Sequence, residues 1–175
     1  MIVVGVLAPG AAPAVGAIAR RAAAAADSRV EVVGLAPVGA DGDRLLLELA
    51  SAGVGHATVT RSAAATIEPA DLELALRYLP DVRVVVLVAP EAALLRTAAS
   101  GSSWSDAALV LVGPLGADAA EVADGAPAIV LEPPKHDPDE AFAGLVAAFA
   151  RRLDAGEPSE AAWRGTLAAL AVDQA

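Results

Sequence analysis

Cysteine is missing from the 175 residues, and so is asparagine. Without cysteine there is no disulfide framework, no zinc–thiolate site and no thiol nucleophile. That composition suits a reducing compartment, and the expectation is a cytoplasmic protein. Lysine occurs once, so any catalytic lysine has to be Lys135. Phe, Tyr and Trp together number five, whereas alanine alone supplies 46 positions. The core must therefore be built from Val, Leu and Ala, a mixture that favours helices packed closely on a sheet. Basic residues are scarce as well: 12 Lys and Arg face 22 Asp and Glu, giving a net charge of −10. A binder of phosphate backbones needs a basic face, so a nucleic-acid partner is not expected. Long apolar runs are also lacking. The first 19 residues carry no charged side chain, but Pro9, Gly10 and Pro13 interrupt them too early for a membrane span or a signal peptide.

What the chain does have is 56% hydrophobic residues, which excludes a disordered segment. Its length suits a single domain over 1–175, able to bury about 70% of its unfolded surface. Apolar runs at Ile2 to Leu7, Val30 to Leu35, Arg83 to Val88, Ala108 to Val112 and Ala128 to Leu131 read as strands. His56 to Arg61 alternates weakly and reads as a short edge strand. Between them lie helical stretches: Pro13 to Ala26, Asp41 to Ala52, Pro69 to Leu79, Pro90 to about Ala99 and Ala117 to Ala123. Two more follow, Asp139 to Leu153 and Pro158 to about Val172. Gly101 to Ser105 reads as a Gly/Ser loop that carries Trp104. Strands alternating with helices predict an α/β fold, a three-layer α/β/α sandwich on a mainly parallel sheet. Ligands of such sheets bind beyond the carboxyl ends of the strands. That directs attention to Ala8 to Pro13, Ala36 to Asp43, Ala89 to Glu91, Gly113 to Asp118 and Glu132 to Glu140.

Other constellations are weak. His56 and His136 have no metal-pair spacing. Ser102, Ser103 and Ser105 lack a nucleophile elbow. Arg151 and Arg152 read as a solvated pair in a last helical turn, and Trp104 and Trp163 as packing anchors. A dinucleotide binder would want Gly-x-Gly-x-x-Gly after the first strand, and the full fingerprint is not there.

Five segments, in order, resemble the ribokinase-like family of carbohydrate and nucleoside kinases. Gly10-Ala11-Ala12-Pro13-Ala14-Val15-Gly16-Ala17 is similar to that family's Gly-Gly-Ala-Pro-Ala-Asn-Val-Ala helix start. Val33 to Asp41 resembles its Val-Gly-x-x-Gly-Asp-Asp turn, and Leu45 to Val54 its next helix. Leu115-Gly116-Ala117-Asp118-Ala119 is similar to Thr-Leu-Gly-Ala-Glu-Gly. Glu140-Ala141-Phe142-Ala143-Gly144 stands where the family has Gly-Ala-Gly-Asp-Ala-Phe-x-x-Gly. The resemblance implies a ribokinase-like sandwich whose lid strands are absent, since Leu7 to Gly10 leaves no room for them. It implies a chain shorter than full family members. It places substrate at Gly10, Ala11, Val15 and Asp41, and nucleotide at Gly113, Gly116, Asp137 and Asp139. It makes Glu140 the catalytic base and Glu91 the remnant of the magnesium motif, with ATP and magnesium as cofactors of any retained activity.

The departures fall on the chemistry. The family's glycine loop donates backbone N–H groups at a helix N-terminus to the transferring phosphoryl group. Here it reads Asp137-Pro138-Asp139-Glu140, and Pro138 has no N–H to give. Two further carboxylates stand where negative charge would develop. The substrate-binding Asn corresponds to Val15, the nucleotide-side Thr to Pro114 and a later Gly to Ala119. The magnesium-organising Asn-x-x-Glu motif cannot exist without asparagine. The expectation is a catalytically degenerate ribokinase-like protein that binds a small molecule or a partner. One alternative is an active ATP-dependent sugar or nucleoside kinase using Glu140. The other is an interaction module acting as a homo-oligomer or with a protein partner, through a surface other than the absent lid.

Overall fold

The computed structural model describes residues 1–8, 15–25, 28–79, 81–135 and 141–172. Six strands among these form one parallel sheet: β1 (Ile2–Val6), β2 (Glu31–Ala36), β3 (Gly55–Arg61), β4 (Val84–Val88), β5 (Ala108–Val112) and β6 (Ala128–Leu131). The helices are α1 (Val15–Ala23), α2 (Ala40–Ser51), α3 (Pro69–Tyr78), α4 (Ala92–Ser105), α5 (Ala117–Asp124), α6 (Ala141–Asp154) and α7 (Ser159–Val172). The expected three-layer α/β/α sandwich is thus present, and every strand among the described residues belongs to its one sheet.

Strand order is β3-β2-β1-β4-β5-β6, with every neighbouring pair parallel. A sheet covered on both faces has no polar side, which is why β4 reads Val-Val-Val-Leu-Val and is buried throughout. Alternate residues feed two cores. Val84, Val86, Val110 and Val112 pack with α1, α2 and α6, whose Ile18, Leu49, Val146 and Phe149 fill that layer. Val85, Leu87, Leu109 and Leu111 pack instead with Leu72 of α3, Leu95 and Ala98 of α4 and Ala119 of α5. Trp163 of α7 meets Phe149 edge-on, with ring centroids 5.4 Å apart, and so serves as the expected anchor.

β1 and β2 approach their surroundings closely at paired glycines. Gly5 and Gly34 are in register. A Cβ on Gly34 would collide with the Gly5 carbonyl oxygen, and one on Gly5 would lie 2.5 Å from Val15 Cγ2. The small residues let the first helix start tight against the first strand.

Three expectations need correction. Trp104, expected as a packing anchor, is instead 90% exposed near the end of α4. Gly101 to Ser105 is not a loop but the last part of α4, which ends at Asp106 in the left-handed conformation with φ 55°. Gly and Ser disfavour helix locally, yet this turn packs against α3, and Ser105 Oγ donates back to the Gly101 carbonyl at 3.1 Å. Tertiary packing overrides propensity here. Arg151 and Arg152 are half-buried rather than solvated. Arg152 donates to both carboxylate oxygens of Glu157, at 2.9 and 3.1 Å, as the chain turns from α6 into α7.

Candidate functional site

The sheet's connections change direction between β1 and β4, and a crevice opens there beyond the carboxyl ends of the strands. A cavity of about 100 Å³ occupies this point. Gly5 and Val6 of β1 form one wall, and Val88, Ala89 and Glu91 after β4 form another. Ala65, Thr66 and Ile67 close the third side. Among these lining residues Glu91 is the one charged group and Thr66 the one hydroxyl.

The turn after β4 is held firmly. Ala89 adopts φ 47°, a left-handed conformation that costs a non-glycine residue about 1–2 kcal/mol. Its N–H donates to the Val112 carbonyl at 2.7 Å, extending the β4–β5 ladder past the strand end. Gly113, with φ 118°, lies alongside: its missing Cβ would be 3.5 Å from Ala89 Cα. The Gly113 N–H donates to the Leu131 carbonyl at 3.1 Å. Glu91 follows as the N-cap of α4, and its carbonyl accepts from Leu95 N–H at 3.0 Å. Its side chain makes no capping hydrogen bond and is exposed.

The residues expected from sequence divide accordingly. Val15 is buried at the start of the described part of α1 and touches the site through Gly5. Gly113 adjoins the Ala89 turn. Gly116 is the N-cap of α5, with open space where a side chain would stand. Asp41 is exposed in the first turn of α2, where it pairs with Arg44 at 3.5 Å, and it does not line the cavity. Its neighbour Asp43 is paired with Arg61 at the end of β3. Lys135 is exposed after β6. Gly10, Ala11, Asp137, Asp139 and Glu140 lie outside the described residues, as does His136. His56 Nδ1 lies 3.0 Å from the Val54 carbonyl, a local contact. Among the described residues no three His, Cys, Asp or Glu side chains come together as a metal site.

Sequence reasoning missed the wall formed by Ala65, Thr66 and Ile67. Once the strand order is known the position is forced. The chain must travel from edge strand β3 back to the centre at β4, and it crosses the switch point on the way. No local pattern in Ser62-Ala63-Ala64-Ala65-Thr66 announces that.

The strand order and the two helical layers define a doubly wound, all-parallel α/β sandwich with a cavity at its switch point. More narrowly, the fold is ribokinase-like. It is similar to the crystal structure of Sa239, with TM-score 0.66 and 12% identity over 93% of this chain and 89% of that one. A protein from Agrobacterium tumefaciens assigned as a ribokinase gives 0.63 and 10%, over 94% and 87% of the two chains. Phosphofructokinase-2 from Escherichia coli in complex with potassium gives 0.61 and 12%, over 96% and 90%. No family model matches the chain, and no curated protein matches it. Identities this low speak for fold alone. Among the described residues no helix is long and apolar enough to cross a membrane.

Proposed function

We propose that this protein is a degenerate ribokinase-like domain, binding a small molecule or a partner at the carboxyl edge of its sheet without efficient phosphoryl transfer. The observation that carries the reading is the character of the switch-point cavity. At about 100 Å³ it falls well below the roughly 300–1,000 Å³ of sites that enclose a drug-sized ligand. Its described lining supplies one carboxylate, Glu91, and no cation to meet a phosphate. Phosphoryl transfer depends on positioning and on positive electrostatic stabilisation, and the described lining offers no cationic side chain for the second. The sequence before α6 points the same way. Asp137 and Asp139 put carboxylates where the resemblance calls for glycine donors, beside Glu140 in the place of the base, and Pro138 removes an N–H.

In this reading Glu91 is the acid that would hold magnesium and Glu140 the remnant of the base, and the resemblance puts the nucleotide's phosphates at Gly113 and Gly116. Magnesium bound there would neutralise phosphate charge. Titration calorimetry with Mg-ATP tests the proposal. Binding absent or weaker than about 100 μM, roughly −5.5 kcal/mol, is expected. A dissociation constant in the low micromolar range would instead favour a working nucleotide site.

A further inference from the structure

We propose that the groove between α3 and α4 binds a small molecule made of a planar aromatic body and one anionic group. The groove lies away from the switch point, and its cavity of about 840 Å³ is within the range of sites that enclose such ligands. One wall is a stripe of α4. Arg96, Ser100 and Trp104 stand at i, i+4 and i+8, so they share a helix face. From Arg96 to Trp104 the helix rises about 12 Å, the reach of a two-ring molecule with an acidic substituent. The opposite wall is α3, which contributes Glu73 and Arg77, and the floor is Leu76 against Gly101. Gly101 gives the floor its flatness, since a Cβ there would come within 2.6 Å of Leu76 Cδ1.

Three features select the ligand. Trp104 is 90% exposed, in a chain that has only two tryptophans and packs the other one against Phe149. An indole left in water beside a groove is a stacking platform, and tryptophan and arginine are the residues that most often dominate binding energy. Arg96 takes part in no ion pair or hydrogen bond among the described residues, whereas Arg77 is engaged by Glu73 at 2.6 Å. Arg96 is therefore the groove's uncommitted cation, and its planar fork fits a carboxylate, sulfonate or phosphate. Asp81 lines the groove too, and its charge disfavours a second anionic group on the ligand.

The probe is 8-anilinonaphthalene-1-sulfonate, titrated into the full chain and into a Trp163→Phe variant in which Trp104 is the sole tryptophan. The expected result is a saturable 1:1 rise in dye emission with matching quenching of Trp104. Trp104→Ala and Arg96→Gln should each weaken binding about tenfold. Both positions are exposed, so circular dichroism should show the fold unchanged. N-phenyl-1-naphthylamine, a neutral analogue, should lose affinity in Trp104→Ala and not in Arg96→Gln. Glu91→Gln, at the switch point, should leave dye binding unchanged, which separates this site from the one proposed above. Dye binding that is unsaturable, or that persists at full strength in both Trp104→Ala and Arg96→Gln, would overturn the proposal. So would a Glu91→Gln effect without a Trp104→Ala effect, and so would no binding at all.

Discussion

Ala89 holds a left-handed backbone at the point where the sheet's connections diverge, and strain of that kind persists only where neighbours impose it. The imposing contacts are the 2.7 Å bond from its N–H to Val112 and the close passage of Gly113. Glycine would adopt the same conformation freely, at about 0.5–1 kcal/mol of extra unfolded-state entropy. Ala89→Gly should therefore raise stability by up to about 1 kcal/mol, read as a higher urea midpoint at unchanged slope. The opposite outcome is expected at Gly34. An alanine methyl there would run into the Gly5 carbonyl, which is backbone in a central strand and cannot move aside. Gly34→Ala should cost at least about 2–3 kcal/mol, at the upper end of ordinary overpacking. Gly5→Ala should cost less, because its nearest obstacle is a side-chain methyl of Val15. In the deep core, Phe149 is 1% exposed and anchors Trp163, so Phe149→Ala should lose about 3–5 kcal/mol in the same denaturation experiment.

Elements were legible in the sequence to the degree that burial, rather than distant contacts, decides them. β4 and β5 are buried on both faces, so their continuous apolar runs mark them from residues alone. β3 is an edge strand, half-buried, and its alternation is correspondingly weak. The end of α4 was not legible. Gly101-Ser102-Ser103-Trp104-Ser105 has the composition of a loop, and its helicity comes from docking on Leu76 of α3. Two effects oppose each other at Gly101. An alanine gains about 1 kcal/mol of helix propensity, while its methyl meets the flexible end of Leu76 rather than backbone. Gly101→Ala should thus change stability by less than about 1 kcal/mol in either direction. A loss of several kcal/mol would show that the α3–α4 contact is more rigid than described.

At the scale of the whole molecule, strand–helix alternation and five short motifs were enough to give the sandwich and its ribokinase-like form. The site was legible only in part. Glu91 lines the β1–β4 crevice, with Val15 packed behind Gly5 and Gly113 beside Ala89, whereas Asp41 pairs with Arg44 on α2 and does not line it. The third wall, Ala65 to Ile67, depends on strand order, which is a property of the entire sheet and of no local pattern. The central claim is that this fold persists while the phosphoryl-transfer chemistry has been lost. Losing a single anion-hole donor costs other enzymes roughly 2.7–4 kcal/mol, or about 10²–10³ in rate, and the sequence before α6 departs from its counterpart at several positions. The direct measurement is ATP-dependent phosphoryl transfer across a panel of sugars and nucleosides, for the wild-type chain and for Glu140→Gln. The account predicts no turnover above background in either protein. Substantial wild-type turnover that disappears in Glu140→Gln would contradict it and establish a working kinase with Glu140 as its base.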